Sequence, residues 1–170
     1  MRTGHTLGAM TEAKLPEAPI PESHVGILEN ALVAVVSTIS YKDGLMSTNP
    51  VGFDWDGDYV RFSTLKSRVK YRNLLSNAQI TFCAVDPAMG TRYIEIRGYA
   101  EIREDPENEL PKKVAGRMGG KSWTPEMDGA GAERVIIKIV PTQVSTPTLY
   151  GGQLDQRAAK FAESQKPSAP

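Results

Sequence analysis

The feature that most restricts the fold of this chain is a series of β-patterned segments joined by two-residue turns. The apolar, β-branched segment 31–40 is followed by Asp43-Gly44, and Asp56-Gly57 separates the two segments after it. Asp-Gly between such segments is typical of a tight hairpin, and a hairpin joins antiparallel strands. We therefore predict an antiparallel sheet of six strands, at 31–40, 45–55, 59–64, 78–85, 92–102 and 133–146.

Two of these segments have unusual compositions. Segment 31–40 is apolar almost throughout, which predicts a strand buried on both faces. Segment 45–55 contains Pro50 and Gly52. Proline cannot donate to a strand ladder, and glycine has no side chain to pack. We therefore expect an edge strand, a bulge or a close approach of this backbone to another group.

Helices are predicted between and around the later strands. One spans about 23–32 with Ser23 as its cap, one precedes the strand at 78–85, and others span about 106–118 and 155–163. Gly98, inside the strand at 92–102, predicts a sharp bend of the kind that barrels need. Neither a βαβ alternation nor a glycine-rich dinucleotide motif is present. A mainly β (α+β) fold, an antiparallel barrel with peripheral helices, is expected.

A length of 170 residues fits one folded domain. Residues 1–22 contain three prolines between 16 and 21 and are expected to form an extended lead-in. Its first ten residues are set aside as an added segment or an alternative start. The barrel domain is predicted at 23–150, followed by a C-terminal helix and flexible tail at 151–170.

The overall chemistry excludes several functions. The chain has 20 basic and 20 acidic residues, which argues against general binding to nucleic acid or membrane surfaces. No apolar run is long enough to span a bilayer, and no secretory signal is evident. The single cysteine, Cys83, fits a cytoplasmic setting and is predicted to be a buried, unreactive core residue. His5 and His24 both precede the first strand, so neither a metal centre nor a histidine-dependent triad is expected.

The charges are unevenly placed along the chain. Between Asp58 and Asp86 there is no acidic residue, although there are five cations, at 61, 66, 68, 70 and 72. Some of them fall at the start of a predicted helix, which we expect Ser67 or Thr64 to cap. Helix N-termini carry partial positive charge and free N–H groups, so cations are unfavourable there unless an anion is bound.

This pattern predicts a phosphate site formed by Ser63, Thr64, Arg68 and Lys70. The alternative from the residues alone is a basic helix surface that contacts only solvent, because Lys and Arg are good helix formers. Residue types alone do not separate these alternatives.

From about residue 25 to 150, the order of segments resembles the pyridoxamine-phosphate-oxidase-like split β-barrel superfamily. The most specific part is a strand that ends in Ser63-Thr64 and is followed by Arg-x-Lys-x-x-Asn-Leu at 68–74. Pro-Val-x-Phe-x-Trp at 50–55 adds independent support. Within the superfamily, the chain looks closest to the actinobacterial type that depends on a deazaflavin, coenzyme F420. It departs from the common pattern at Asn77-Ala78, where Asp-Pro is frequent.

The resemblance implies a homodimer of six-stranded split barrels with cofactor sites at the subunit interface. Members of the superfamily bind FMN or the 8-hydroxy-5-deazaflavin coenzyme, and some bind haem. By analogy, one group of residues would hold the cofactor phosphate and a second would lie against its ring. The cofactor-binding residues implied in this way are Asn49, Pro50, Val51, Ser63, Thr64, Arg68, Lys70 and Arg72.

The implied reaction is hydride transfer from reduced coenzyme F420 to a small electron-poor organic acceptor such as an enone or a quinone. Nothing in the sequence identifies a catalytic proton donor, and no catalytic residue is assigned. An FMN-binding protein, a non-catalytic flavin or deazaflavin carrier, and an anion-binding interaction domain remain as alternatives. FMN and the deazaflavin both carry a phosphate, so charge does not separate them.

Overall fold

The structure, a computed structural model, describes residues 16–119, 123–153, 156–157 and 160. Three α-helices, two short 3-10 helices and seven strands have both of their ends within these residues. The helices are α1 (Glu22–Asn30), α2 (Val69–Ser76) and α3 (Glu109–Arg117), with 3-10 helices at Pro125–Asp128 and Leu149–Gly152. The strands are β1 (Val33–Ile39), β2 (Met46–Gly52), β3 (Asp54–Trp55), β4 (Val60–Leu65), β5 (Gln79–Val85), β6 (Tyr93–Glu104) and β7 (Arg134–Ser145).

The strands form one antiparallel sheet in the order β2-β1-β5-β6-β7-β4-β3. The predicted mainly β fold with peripheral helices is confirmed, but the described strands number seven and not six. The difference arises because the predicted strand at 45–55 is interrupted at Phe53. The part before Phe53 pairs with β1, and the part after it pairs with β4.

Phe53 also shows how the sheet closes. β2 and β3 lie at opposite ends of the strand order, yet only Phe53 separates them along the chain. Two opposite edges can be so close only if the sheet curls on itself, as in a barrel. The Phe53 side chain is buried, and its ring packs edge-on against Phe82 with 5.0 Å between the ring centroids. The hydrophobic core therefore fills the inside of the curled sheet.

β2 is an edge strand, which explains how it contains Pro50. Gly52, two residues later, faces α3. A Cβ atom at Gly52 would lie 2.7 Å from Cγ1 of Val114 and 3.2 Å from Sδ of Met118. Two of the alternatives expected for this segment, an edge position and a close approach, are therefore both present.

The predicted bend at Gly98 is also present. The register between β6 and β7 shifts between Arg97 and Gly98. A Cβ atom at Gly98 would lie only 1.9 Å from the carbonyl oxygen of Val140. Only a residue without a side chain fits at this register shift between the two longest strands.

β1 is buried on one face only, so the prediction of burial on both faces is wrong. Ala34 and Val36 point into the core, whereas Val33 and Val35 are 46% and 42% exposed. The sequence pattern could not separate a strand covered on both faces within one chain from a strand with an apolar outer face. The outer face of β1 is available to another molecule.

Cys83 lies on this outer face, paired with Val35 of β1. It is only partly buried, so its predicted place in the core is wrong. Burial and then the neighbouring charge of Glu95 raise the pKa of the Cys83 thiol. A raised pKa lowers the thiolate fraction and fits an unreactive cysteine.

The predicted helix caps are wrong. Pro21 precedes α1 and Arg68 precedes α2, and neither N-cap residue makes a side-chain capping hydrogen bond. Ser23 lies inside the first turn of α1, while Ser67 and Thr64 lie too far before α2 to cap it. The first turn of α2 is therefore left without a side-chain acceptor.

The other helices are described in part. α3 falls within its predicted range, and both carboxylate oxygens of Asp105 accept hydrogen bonds from its first backbone N–H groups. The helix predicted at 155–163 lies largely outside the described residues, as does most of the lead-in at 1–22. The boundaries at 23 and 150 stay predictions. None of the described helices has the length and apolar composition needed to cross a bilayer.

Candidate functional site

A cavity of about 490 Å³ lies between the N-terminal end of α2 and strands β2 and β4. Seven of the eight residues predicted to bind a cofactor line it. They are Asn49, Pro50, Val51, Ser63, Thr64, Arg68 and Lys70. The fold therefore brings the two predicted groups, one from β2 and one from the connection between β4 and α2, to a single cavity.

The eighth residue, Arg72, does not line this cavity. Its guanidinium donates hydrogen bonds to the hydroxyl of Tyr41 and the carbonyl oxygen of Ser67, both at 3.1 Å. Lys70 and Arg72 are two positions apart and so project from different sides of α2. Arg72 contacts the hairpin after β1, and Lys70 faces the cavity.

α2 is fixed in place by the asparagine of the sequence motif. Asn73 is fully buried, and its Nδ2 donates to the hydroxyl of Thr38 on β1 at 2.9 Å. Its Oδ1 accepts a hydrogen bond from the backbone N–H of Tyr41 at 3.1 Å. Asn73 therefore holds the orientation of the helix whose first turn borders the cavity.

Arg68 and Lys70 differ from Arg61 and Lys66 in having no acidic partner. Arg61 pairs with Asp54, and Lys66 pairs with Glu133. Within the described part of the chain, no ion pair is formed by Arg68 or Lys70. Two uncompensated cations therefore lie at one end of the cavity.

The environment of Lys70 disfavours its charge. Burial, and then the nearby charge of Arg68, lower the pKa of the Lys70 ammonium. Its Nζ lies 6.0 Å from the centroid of the Phe62 ring. A bound anion would relieve both unfavourable effects, because it would replace lost hydration and offset the charge of Arg68.

The backbone adds to this preference for anions. α2 begins at Val69, its N-cap residue Arg68 makes no side-chain capping bond, and its first turn has no acidic residue. The N–H groups of a first helical turn have no partner one turn earlier in the helix. Here those of Arg68 and Tyr71 donate to the carbonyl oxygens of Leu65 and Arg68, at 3.0 and 3.2 Å, which leaves those of Val69 and Lys70 for an outside acceptor. With the helix dipole, they favour an anion at this position.

The part of the cavity lining that comes from β2 is less polar. There Val51 is buried, Pro50 is exposed, and the Asn49 amide donates to the Thr48 carbonyl oxygen at 2.9 Å. The cavity thus has one cationic end and one wall with apolar side chains. This arrangement suits a ligand that joins an anionic group to a larger, less polar body.

Sequence reasoning missed one polar residue of the cavity, Arg134 at the start of β7. Its Nη1 donates to Oγ of Ser63 at 3.1 Å, and it makes two hydrogen bonds to Asp128, at 2.6 and 2.7 Å. Arg134 is 71 positions from Ser63 in the sequence. The only available signal was the pairing of β4 with β7, which the segment pattern does not specify.

The fold and the cavity define an antiparallel, curled β-sheet protein whose cavity is lined by two unpartnered cations and by apolar side chains of β2. Residues 20–146 match the pyridoxamine 5'-phosphate oxidase family. The match covers more than half of the chain, and the protein belongs to this family. The predicted resemblance is thereby confirmed.

Solved structures show the same fold. A protein described as an F420 reductase is similar at 35% sequence identity and a TM-score of 0.67, over 74% of this chain and 98% of that one. A putative pyridoxamine 5'-phosphate oxidase from Listeria innocua is similar at 20% identity and a TM-score of 0.57, over 74% and 95% of the two chains.

A haem storage protein from Vibrio cholerae is similar at 14% identity and a TM-score of 0.56, over 74% of this chain and 93% of that one. At such low identity, this structure and the Listeria structure indicate the fold alone. A comparison with curated proteins gives no match.

Proposed function

We propose that this protein is an oxidoreductase that uses reduced coenzyme F420 to deliver a hydride to a small electron-poor organic acceptor, such as an enone or a quinone. The observation that carries the proposal is the pair of unpartnered cations, Arg68 and Lys70, at an uncapped helix start beside an apolar wall. The 35% identity to a protein described as an F420 reductase supports the choice of cofactor.

The described residues fit a phosphate-bearing cofactor. Arg68 and Lys70 would neutralise the phosphate, while the hydroxyls of Ser63 and Thr64 and the free N–H groups of α2 would donate hydrogen bonds to it. Pro50 and Val51 would contact the ring, and Asn49 would offer it a polar group. Arg72 is withdrawn from the proposed set because it contacts Tyr41 and not the cavity.

The chemistry belongs mainly to the cofactor, which supplies the hydride when it is bound. The protein would contribute orientation, exclusion of water and electrostatic support. Among the described lining residues there is no carboxylic acid, histidine or tyrosine. We therefore assign no catalytic residue among them.

We also propose a homodimer, with the outer face of β1 as its interface. The exposed apolar side chains there include Val33, Val35, Met46 and Val85. Strand pairing places Pro50, a lining residue of the cavity, next to Val35 on this face. A second copy seated on the face would therefore reach the cavity and cover a cofactor ring. An apolar face of this kind is typical of an interface.

The alternatives use the same cavity. An FMN-dependent oxidase or reductase would prefer FMN, and a carrier would bind a cofactor without turning over an acceptor.

We place the protein in the cytoplasm, because its single cysteine allows no internal disulfide.

The experiment that tests the proposal is a fluorescence titration of the purified protein with coenzyme F420 and, in parallel, with FMN. Binding of F420 at micromolar or lower concentration, followed by oxidation of the reduced coenzyme when menadione or cyclohexenone is added, is the expected result. Binding without turnover of either acceptor would favour a carrier. Preference for FMN would move the protein to the flavin-dependent group, and binding of neither would contradict the proposal.

A further inference from the structure

Arg134 is held in one orientation by contacts on three sides. Its Nε and Nη2 donate to the two carboxylate oxygens of Asp128 at 2.6 and 2.7 Å. Its guanidinium lies 4.8 Å from the centroid of the Trp123 ring, and its side chain is only 15% exposed. Such a two-point contact fixes a planar guanidinium more firmly than a single hydrogen bond.

The remaining contact of Arg134 determines how Ser63 is used. A serine hydroxyl has one hydrogen to donate and two lone pairs that accept. Arginine can only donate, so the 3.1 Å contact between Nη1 of Arg134 and Oγ of Ser63 occupies a lone pair of Ser63. The hydrogen of Ser63 must then point away from Arg134. Ser63 lines the cavity that also contains Arg68 and Lys70.

Arg134 differs from Arg68 and Lys70 in its charge balance. Asp128 offsets the positive charge of Arg134, whereas the other two cations have no acidic partner among the described residues. Arg134 is therefore suited to orienting a neighbour and not to adding net charge. Arg68 and Lys70 supply the charge that an anion needs.

We infer that Arg134 is a positioning residue, which fixes the Ser63 hydroxyl as a hydrogen-bond donor to the phosphate of the bound cofactor, with Asp128 holding Arg134 in place. This inference rests on the proposed function for the identity of the ligand, but its geometry requires only an anion with phosphate oxygens. It also assigns a purpose to the segment that carries Trp123 and Asp128, which the sequence alone did not connect with the site.

The test is a double-mutant cycle with S63A, R134M and the double variant. The readout is the dissociation constant for coenzyme F420 and for the same deazaflavin without its phosphate. Each single variant is expected to weaken binding of the phosphate-bearing form roughly tenfold or more, and the double variant by no more than the worse single variant. Binding of the phosphate-free form should not change. The inference would be overturned if the loss of affinity in the double variant were the product of the two single losses. It would also be overturned if the phosphate-free form lost as much affinity as the phosphate-bearing form.

The variant D128N separates positioning from charge. It makes the site more positive, so a purely electrostatic role predicts tighter binding of an anion. A positioning role predicts weaker binding, because Arg134 loses one of its two hydrogen bonds to residue 128. Tighter or unchanged binding by D128N would overturn the inference. R134K, which keeps the charge and can still donate to Ser63, should recover part of the affinity lost in R134M.

Inorganic phosphate distinguishes failure of this inference from failure of the proposed function. The same variants are heated with and without inorganic phosphate, and the increase in melting temperature is compared with that of wild type. If wild type binds neither cofactor but is stabilised by phosphate, the proposed function fails. An equal loss of that stabilisation in S63A, R134M and the double variant still supports the positioning role. If wild type binds neither cofactor and phosphate has no effect on it, both fail. If wild type binds coenzyme F420 and the variants bind it as tightly, only the positioning role fails.

Discussion

At the residue scale, Lys70 has opposing effects on stability and binding. Its pKa is lowered by burial and by Arg68, so its charge is unfavourable in the free protein. We predict that Lys70→Met leaves the free energy of unfolding unchanged or raises it, while it weakens cofactor binding by about 1.5–3 kcal/mol. Urea unfolding and a fluorescence titration measure the two effects. A variant that loses stability and keeps its affinity would contradict the role of Lys70.

The same shift predicts a pH dependence. Below its lowered native pKa, Lys70 is charged in both the folded and unfolded states, and the full cost of burying that charge is present. As pH rises from that pKa towards the ordinary lysine value, the unfolded state binds more protons, so the contribution of Lys70 to stability increases. Phosphate affinity should fall over the same interval, because the bound anion requires charged Lys70. The affinity of wild type for phosphate is measured by titration at a series of pH values. An affinity that does not decline over this interval would contradict the requirement for charged Lys70.

Asn73 is the residue whose loss should most directly disturb α2. Removing its buried amide in Asn73→Ala leaves the Thr38 hydroxyl and the Tyr41 N–H without their partner. We expect a loss of about 1–3 kcal/mol in the free energy of unfolding, measured in urea. Asn30→Ala is the matched control, since Asn30 is exposed and bonds only the Gly26 carbonyl oxygen. Equal effects of the two substitutions would refute this account of Asn73.

Most of the cavity residues were identified from two short segments. The charge pattern indicated those before and at the start of α2, and the family resemblance added those of β2. Arg68 and Lys70 could be selected from their position at a helix start, although the cap was misassigned. Arg72 could not be separated from them, because its direction depends on where α2 begins and what it contacts. Arg134 could not be found, because its contact with Ser63 depends on strand pairing between distant parts of the chain.

At the scale of elements, two glycines provide a matched test of backbone packing. A Cβ atom at Gly98 would overlap the Val140 carbonyl at the register shift between β6 and β7. A Cβ atom at Gly116 in α3 would have nothing within 4 Å. We predict that Gly98→Ala lowers the free energy of unfolding by about 3 kcal/mol or more. Gly116→Ala should raise it by about 0.4–1 kcal/mol. Similar unfolding midpoints for the two variants would contradict the close approach of Gly98 to the Val140 carbonyl.

The strands themselves were largely predictable, but the break between β2 and β3 was not. The segment 45–55 is β-patterned throughout, and nothing in it marks Phe53 as the point where the partner changes from β1 to β4. The change is forced by closure of the sheet, which depends on all of the strands together. Gly52 next to it was recognised as unusual because a missing side chain is visible in the sequence.

At the scale of the whole molecule, the exposed face of β1 predicts association of two copies. Val35→Lys would place a charge in the centre of that face and should shift the mass in solution, measured by light scattering, from dimer to monomer. Leu75→Lys is the control, because Leu75 is 62% exposed on α2, which contacts β1 on the face opposite Val35. A monomeric wild-type protein, or a dimer that tolerates Val35→Lys, would contradict the proposed interface.

The apolar run at 31–40 was recognised from its sequence, but its surroundings were misjudged. Within a single chain, such a run predicts burial on both sides, and here one side is open. A sequence records that a face is apolar and does not record which molecule covers it. The same limit applies to the site for the acceptor, because its shape would depend on loops and on the proposed second copy.

The most direct test of the central claim compares a double variant and a single variant in their affinity for coenzyme F420. Arg68→Ala combined with Lys70→Ala removes both unpartnered cations, and we predict a loss of at least about 3 kcal/mol, roughly a hundredfold or more in dissociation constant. Arg72→Ala removes a positive charge from the same helix, but one that does not line the cavity. Its affinity should stay within about threefold of that of wild type. Unchanged affinity in the double variant, or an equal loss in Arg72→Ala, would contradict the site.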